Sequence, residues 1–144
     1  MTIQVRPAEP QDAIQLVKVS ASAFGFDGPP GFDDTDHQVE AMGRYHYFAV
    51  ERIGQIAAGF YYQATPYGIH LLRLFVDPSN QRMGAGSAVI KFLEEKLSPG
   101  QRIQLDTDIH SHQSHSFYLN QGFELIGQVN FNSGSALRFS KTKG

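Results

Sequence analysis

The chain has no cysteine among its 144 residues, and this absence excludes several kinds of chemistry. It rules out disulfide bonds, thiolate metal sites and a cysteine nucleophile, and it leaves the redox compartment undetermined. Charge is also scarce, since charged residues make up 18% of the chain and the net charge is −2. A protein without a positive excess lacks the electrostatic footprint of nucleic-acid binding, so no nucleic-acid partner is expected.

Long apolar segments are missing as well. No apolar run approaches the ~20 residues that span a bilayer, and residues 1–4 lead into polar sequence without a signal-peptide core. We therefore expect a cytoplasmic protein with no membrane partner. Hydrophobic residues still account for 41% of the chain, and a domain of this size buries roughly 70% of its unfolded surface. With no repeat and no long linker, residues 1–144 are predicted to form a single domain.

The most informative segment starts where an apolar run ends in Val76-Asp77-Pro78 and continues into a polar loop with Gly84 and Gly86. Apolar residues then recur at spacings of three and four, which predicts an amphipathic helix that ends at Ser98-Pro99-Gly100. Bare N–H groups at such a helix start bind phosphate, and glycine lets the phosphate oxygens reach the amides. The alternative is an ordinary strand–turn–helix in which the glycines only relieve a tight corner.

Two common nucleotide-binding loops do not fit these residues. A Walker loop needs lysine and then serine or threonine after its last glycine, whereas Gly86 is followed by Ser87-Ala88. The dinucleotide fingerprint needs a third glycine, and the chain has Val89 there. The loop is therefore a phosphate-binding candidate of another type.

Two blocks of the sequence resemble the GNAT family of N-acetyltransferases. Residues 81–86 fit the pattern Gln/Arg-x-x-Gly-x-Gly/Ala, five residues after Leu74-Phe75-Val76, and are similar to the family's acyl-coenzyme A loop. Residues 116–124 are similar to its Phe-Tyr-x-x-x-Gly-Phe motif. The two blocks stand in the family's order and at its usual separation, and the resemblance covers nearly the whole chain.

Periodicity elsewhere predicts strands mixed with a few helices, which is typical of an α+β domain. A hairpin is expected to turn at Ile53-Gly54, and a helix is expected over residues 35–44. The resemblance implies a single GNAT-like domain with a mixed, mostly antiparallel sheet of about seven strands, flanked by about four helices.

The resemblance further implies acetyl-CoA as co-substrate and no metal. A backbone N–H within residues 74–76 would polarise the thioester oxygen. Ser111 stands where the family often has an asparagine that contacts the cofactor. The implied cofactor contacts are Leu74, Phe75, Val76, Gln81, Arg82, Met83, Gly84, Ala85, Gly86, Ser87, Ser111 and Tyr118.

The implied reaction is attack on the thioester by a primary amine of a small molecule or peptide. Tyr118 is the candidate general acid, because a phenol within hydrogen-bond reach can protonate the departing thiolate. Many family members carry an acid two positions before the leucine of Leu-x-Val, where this chain has Leu72. Asp106 is the replacement base, acting directly or through water, since the ribosomal-protein branch of the family has a glutamate there. The alternatives are a packed tyrosine and a solvated strand carboxylate.

The acceptor amine is expected to meet a loop over residues 24–37 that is rich in phenylalanine and aspartate. Its apolar and acidic side chains would suit an amine with an apolar body. The aspartates could equally cap the following helix. Arg44, Arg73 and Tyr62 could equally favour a carboxylate on the substrate. The candidate acceptor contacts are Phe26, Asp27, Phe32 and Asp108.

Three histidines, His110, His112 and His115, have spacings that a metal site could use. An irregular loop after a strand is a poor preformed cage, so a polar loop is the favoured interpretation. Two functional classes stay open at this point. The first is a working N-acetyltransferase, and the second is a non-catalytic acyl-CoA-binding sensor or partner module, because the usual acid is missing. A homodimer is common in the resembled family.

Overall fold

Seven strands and four helices make up the part of the chain that the computed structural model describes, which is residues 3–25, 28–81 and 83–144. The helices are α1 (Ala13–Phe24), α2 (Thr35–Arg44), α3 (Ala85–Glu95) and α4 (His112–Asn120). The strands are β1 (Ile3–Pro7), β2 (His46–Arg52), β3 (Gln55–Thr65), β4 (Gly68–Val76), β5 (Arg102–Asp108), β6 (Glu124–Phe131) and β7 (Gly134–Thr142). In these residues, no helix is long and apolar enough to cross a membrane.

All seven strands form one sheet in the order β1-β2-β3-β4-β5-β7-β6. Every neighbouring pair is antiparallel except β4–β5, which is parallel. The turn between β2 and β3 places both Ile53 and Gly54 at positive φ, 56° and 72°, as a tight two-residue hairpin requires. The predicted mixed, mostly antiparallel sheet is thus confirmed, and so is the helix over residues 35–44.

The feature that positions the site is the parting of β4 from β5. These strands pair only where residues 68–70 face residues 102–104, yet β4 runs on to Val76 and β5 to Asp108. On its other edge β4 stays paired with β3, apart from one register shift opposite Tyr61 and Tyr62 that leaves Leu72 as the extra residue. A gap therefore opens between the second halves of the two central strands.

Helices cover both faces of the sheet, and each face has its own core. The core under α3 and α4 contains Phe60, Val89, Leu93 and Phe139. The core under α1 and α2 is also well packed, but it uses a different set of apolar side chains, including Leu16, Val19, Tyr47 and Phe75. On α1, Leu16 and Val19 are buried in this core, and Val17 is only partly buried.

The α1 core gives a direct test of the fold. Leu16→Ala is expected to lower the free energy of unfolding by about 2–5 kcal/mol, because Leu16 is 0% exposed and its removal leaves a cavity. Ile14 lies two residues away on the same helix and is 63% exposed, so Ile14→Ala should change stability by less than about 0.5 kcal/mol. Urea unfolding followed by circular dichroism measures both variants, and equal losses would contradict the assigned helix face.

Candidate active site

The start of α3 offers unpaired backbone donors beside the gap. Gly84 precedes the helix with φ +87°, a left-handed conformation that favours glycine. The first helical hydrogen bond runs from the N–H of Ala88 to the carbonyl of Gly84 at 2.9 Å, and no side chain caps the helix. The N–H groups of residues 85–87 therefore point out of the helix end at its positive pole, where an anion is stabilised.

The preceding loop uses some of its own donors. The N–H of Gln81 bonds to the carbonyl of Pro78 at 3.4 Å, and that of Met83 bonds to Asn80 at 3.2 Å. Gln81 and Met83 are both expected cofactor contacts, and they can therefore bind the cofactor only through atoms other than these N–H groups. Arg82, also expected to bind the cofactor, lies outside the described residues.

Helix α4 packs directly against the start of α3. A Cβ atom at Gly86 would lie 2.8 Å from Cζ of Phe117, so an added methyl group would force this ring to move. The sequence explained Gly86 by phosphate approach or by a tight corner, and the structure adds this packing reason. Gln121 donates to Oγ of Ser87 at 2.9 Å, and Gln113 donates to Oε1 of Gln81 at 3.1 Å. Helix α4 thus supports the loop along its length.

The second half of β4 presents its backbone to the gap. The N–H of Asp77 bonds to the carbonyl of Ala57 in β3 at 2.9 Å. Because alternate residues of a strand direct their N–H groups to opposite edges, Phe75 also faces β3 while Leu74 and Val76 face the gap. The side chain of Phe75 is buried in the α1 core, and those of Leu74 and Val76 pack against the α3 core. Leu74 and Val76 are therefore the strand donors available to a bound group.

Tyr118 lies on the α3 and α4 face in an aromatic cluster. Its ring meets Phe117 and Phe123 edge-on at centroid distances of 5.1 and 5.3 Å, and the residue is 7% exposed. Burial raises the pKa of the Tyr118 phenol, so the group keeps its proton at neutral pH. Tyr118 thus provides a protonated phenol that is largely shielded from water.

Asp106 lies on the opposite face of the sheet and is held by a partner that the sequence did not reveal. Arg138, its cross-strand neighbour on β7, donates from Nε to Oδ1 at 2.8 Å and from Nη2 to Oδ2 at 3.1 Å. These bonds raise the pKa of the Arg138 guanidinium. Both oxygens of Asp106 thus accept hydrogen bonds from Arg138, and the assignment of Asp106 as general base stays a prediction.

The expected acceptor contacts occupy different surroundings. Phe32 packs edge-on against Phe24 at 6.0 Å, so its ring closes the loop onto α1. Asp108 is exposed, and its Oδ1 accepts a hydrogen bond from the N–H of His110 at 2.8 Å. Phe26 and Asp27 lie outside the described residues. Phe32 is thus a packing residue, and Asp108 is a turn residue with one free carboxylate oxygen.

The far end of the acceptor loop is firmly attached to the fold. The buried amide of Gln38 donates to the carbonyl of Gly31 at 3.0 Å and accepts from the hydroxyl of Tyr47 at 2.5 Å. Arg73 donates to the carbonyl of Pro30 at 3.1 Å. Asp34 accepts from the N–H of Asp36, so this aspartate does cap α2. Beside the Leu72 bulge, a cavity of about 220 Å³ is lined by His37, Glu40, Ala41, Arg44, Tyr45, Tyr61, Leu72 and Arg73.

The three histidines after β5 serve the structure in different ways. Nε2 of His115 lies 2.9 Å from the carbonyl of Asp108, and its ring packs near Phe139 at 5.8 Å, so His115 ties α4 to the end of β5. His112 meets His115 edge-on at 5.7 Å and is exposed. Across residues 3–25, 28–81 and 83–144, no three His, Cys, Asp or Glu side chains are grouped so that they could hold a metal ion. Ser111 directly precedes α4 without capping it.

One residue of this region was missed by the sequence pattern. His70 lies within the apolar run of β4, at the last rung before β4 and β5 part, opposite Gln104. Ile69 and Leu71 face the α3 core, so His70 faces the same side as Asp106. The imidazole is half-buried, and this burial lowers its pKa. The signal that could have identified His70 from the sequence is a single polar residue inside an apolar strand.

A splayed sheet with free strand donors and an uncapped helix start defines a protein that can hold an extended ligand with an anionic end. The sequence model of the acetyltransferase (GNAT) family matches residues 14–123. The chain therefore belongs to the GNAT acetyltransferase family.

Solved structures share the whole fold at low sequence identity. A protein described as a GNAT-family acetyltransferase from Desulfovibrio desulfuricans is 20% identical, with a TM-score of 0.81 over 98% of this chain and 99% of that one. The ribosomal-protein alanine N-acetyltransferase from Escherichia coli is 18% identical, with a TM-score of 0.74 over 98% and 94%. The PaiA N-acetyltransferase from Thermoplasma acidophilum, solved with coenzyme A, is 15% identical, with a TM-score of 0.73 over 99% of both chains. No curated protein matches the chain.

The contact between Gly86 and Phe117 predicts the effect of adding one methyl group. Gly86→Ala is expected to cost about 1–3 kcal/mol of stability through overpacking, and Phe117→Leu in the same chain should restore part of it. Gly43 is a helical glycine with open space around its Cβ position, so Gly43→Ala should stabilise by up to about 1 kcal/mol. Thermal unfolding compares the variants, and a neutral Gly86→Ala would contradict the close approach.

Proposed function

We propose that this protein transfers the acetyl group of acetyl-CoA to a primary amine of a small molecule or peptide. The observation that carries the proposal is the gap between β4 and β5, which opens beside the uncapped start of α3. Backbone groups on the open edge of β4 need hydrogen-bond partners, and an extended amide-containing chain supplies them. Membership of the acetyltransferase family supports the same chemistry.

The cofactor would lie along features already described. Its diphosphate accepts hydrogen bonds from the N–H groups at the start of α3, with the side chains of residues 81–83 around it and Arg82 adding positive charge. Its pantetheine arm follows the open edge of β4, paired with Leu74 and Val76. Ser111, at the start of α4, offers a hydroxyl on the far side of the gap.

The acetyl group would transfer in one direct step. The amine nitrogen attacks the thioester carbonyl carbon, forms the new C–N bond and gives up one proton to a base on the acceptor side of the sheet. The oxyanion accepts a hydrogen bond from the N–H of Leu74 or Val76. The C–S bond then breaks, and the departing thiolate takes the phenolic proton of Tyr118. Burial that raises the pKa of Tyr118 holds this proton until a thiolate, itself desolvated, forms beside it.

The acceptor would approach from the face that carries Asp106 and Asp108. The expected contacts are the free oxygen of Asp108 and the ring of Phe32, together with Phe26 and Asp27, which the sequence predicts as acceptor contacts. An ammonium group is attracted by Asp108, and an apolar body finds the phenylalanine-rich loop.

Tyr118→Phe tests the enzyme directly. Thiol release from acetyl-CoA across a panel of amines should fall about a hundredfold or more, because the thiolate loses its proton donor. Affinity for acetyl-CoA, measured by calorimetry, should stay unchanged. Tyr67→Phe is the matched control, since Tyr67 precedes β4 at its other end and stacks on Arg102 at 4.2 Å.

The same assay separates this proposal from a non-catalytic acyl-CoA-binding module. Tight binding of acetyl-CoA without thiol release on any amine would favour the module. No binding at all would refute both functions.

A further inference from the structure

The position of His70 at the opening of the gap points to a role in proton transfer. His70 occupies the last paired rung of β4 and β5, and the strands separate immediately beyond it. Its neighbours across the ladder, Gln63 on β3 and Gln104 on β5, are uncharged. Among the described residues, no hydrogen bond engages the imidazole ring, so its nitrogens are available to a ligand.

Asp106 is a diagonal neighbour of His70 on the same face of the sheet, but its side chain, unlike that of His70, is hydrogen-bonded. Both carboxylate oxygens of Asp106 accept hydrogen bonds from Arg138. A proton transferred to Asp106 would weaken this ion pair, which is a cost that a free imidazole does not have.

The two faces of the sheet separate the proton donor from His70. Tyr118 belongs to the core under α3 and α4, whereas His70 and Asp106 project from the other face, as the buried positions of Ile69, Leu71 and Leu105 require. A thioester lying in the gap would present its sulfur to one side and admit an amine from the other.

We infer that His70 is the general base that takes the proton from the attacking amine. This inference rests on the proposed acetyl transfer. The amine nitrogen forms the C–N bond and passes one proton to a ring nitrogen of His70. Tyr118 supplies one proton to the thiolate as the C–S bond breaks. The imidazolium then returns its proton to water, and the tyrosinate takes one back.

The protonation state of His70 is consistent with this role. Burial lowers the pKa of the imidazole below 6.5, so the ring is neutral and able to accept a proton at pH 7. The charged groups that face it are Asp106 on β5, which raises the pKa of His70, and Arg138 on β7, which lowers it. Activity should therefore fall as the pH is lowered through a value below 6.5, because the imidazolium cannot accept a proton.

The test is the pH profile of kcat/KM for thiol release, with the best amine of the panel. His70→Gln should lower kcat/KM about a hundredfold at pH 7 and remove the fall at acidic pH. Asp106→Asn should move the fall to lower pH, since it removes the negative charge beside His70. Arg138→Gln should move the fall to higher pH, and this opposite shift separates tuning from a general loss of structure.

A second measurement does not depend on turnover. The imidazole C–H signal of His70, followed by NMR, should titrate below pH 6.5 in the native protein, lower in Asp106→Asn and higher in Arg138→Gln. Circular dichroism reports whether each variant is folded. A His70 titration that does not coincide with the acidic fall in kcat/KM of the native protein would overturn the inference.

The remaining outcomes separate the base from the function itself. If His70→Gln keeps both its activity and the fall in kcat/KM at acidic pH while Asp106→Asn loses turnover, the base is Asp106 and the inference is wrong. If the native protein binds acetyl-CoA but releases no thiol with any amine, the proposed function fails and the inference fails with it.

Discussion

The separation of two parallel strands after three rungs is the constraint on which the rest of the structure depends. While β4 and β5 are paired, their backbone groups satisfy one another, but beyond His70 the facing edge of β4 has donors and acceptors without a strand partner. The extra residue at Leu72 shifts the register of β4 at this point. It thereby sets which residues direct their N–H groups into the opening.

Helix α4 connects the parts of the site that a cofactor would bridge. It contacts the start of α3 at Gly86, carries Tyr118 on the same stretch, and is tied by His115 to the end of β5. The phosphate end and the reactive end of the site are therefore held in register by one short helix. A ligand that contacts both ends meets a preformed arrangement, which reduces the entropy lost on binding.

The sequence predicted the parts of this protein that depend on local pattern. Apolar spacing found α3, alternation and the Ile53-Gly54 turn found the β2–β3 hairpin, and the glycine-containing loop marked the start of α3. Local pattern was insufficient where partners lie far apart in the chain. The pairing of Asp106 with Arg138 joins residues on different strands, so periodicity could not reveal it.

Other differences between sequence and structure have similar causes. His70 was hidden because the β4 segment was interpreted by its hydropathy, which ignores the face on which a single polar residue lies. The reason for Gly86 was incomplete because the ring of Phe117, which excludes a Cβ there, comes from another helix.

The assignment of Tyr118 and His70 to opposite faces has a consequence for the order of events. In the proposed reaction, acetyl-CoA and the amine would reach the gap from different sides of the sheet and would be bound together. The acetyl group would then need no temporary attachment to the enzyme, and sequential kinetics would follow, with intersecting lines in double-reciprocal plots.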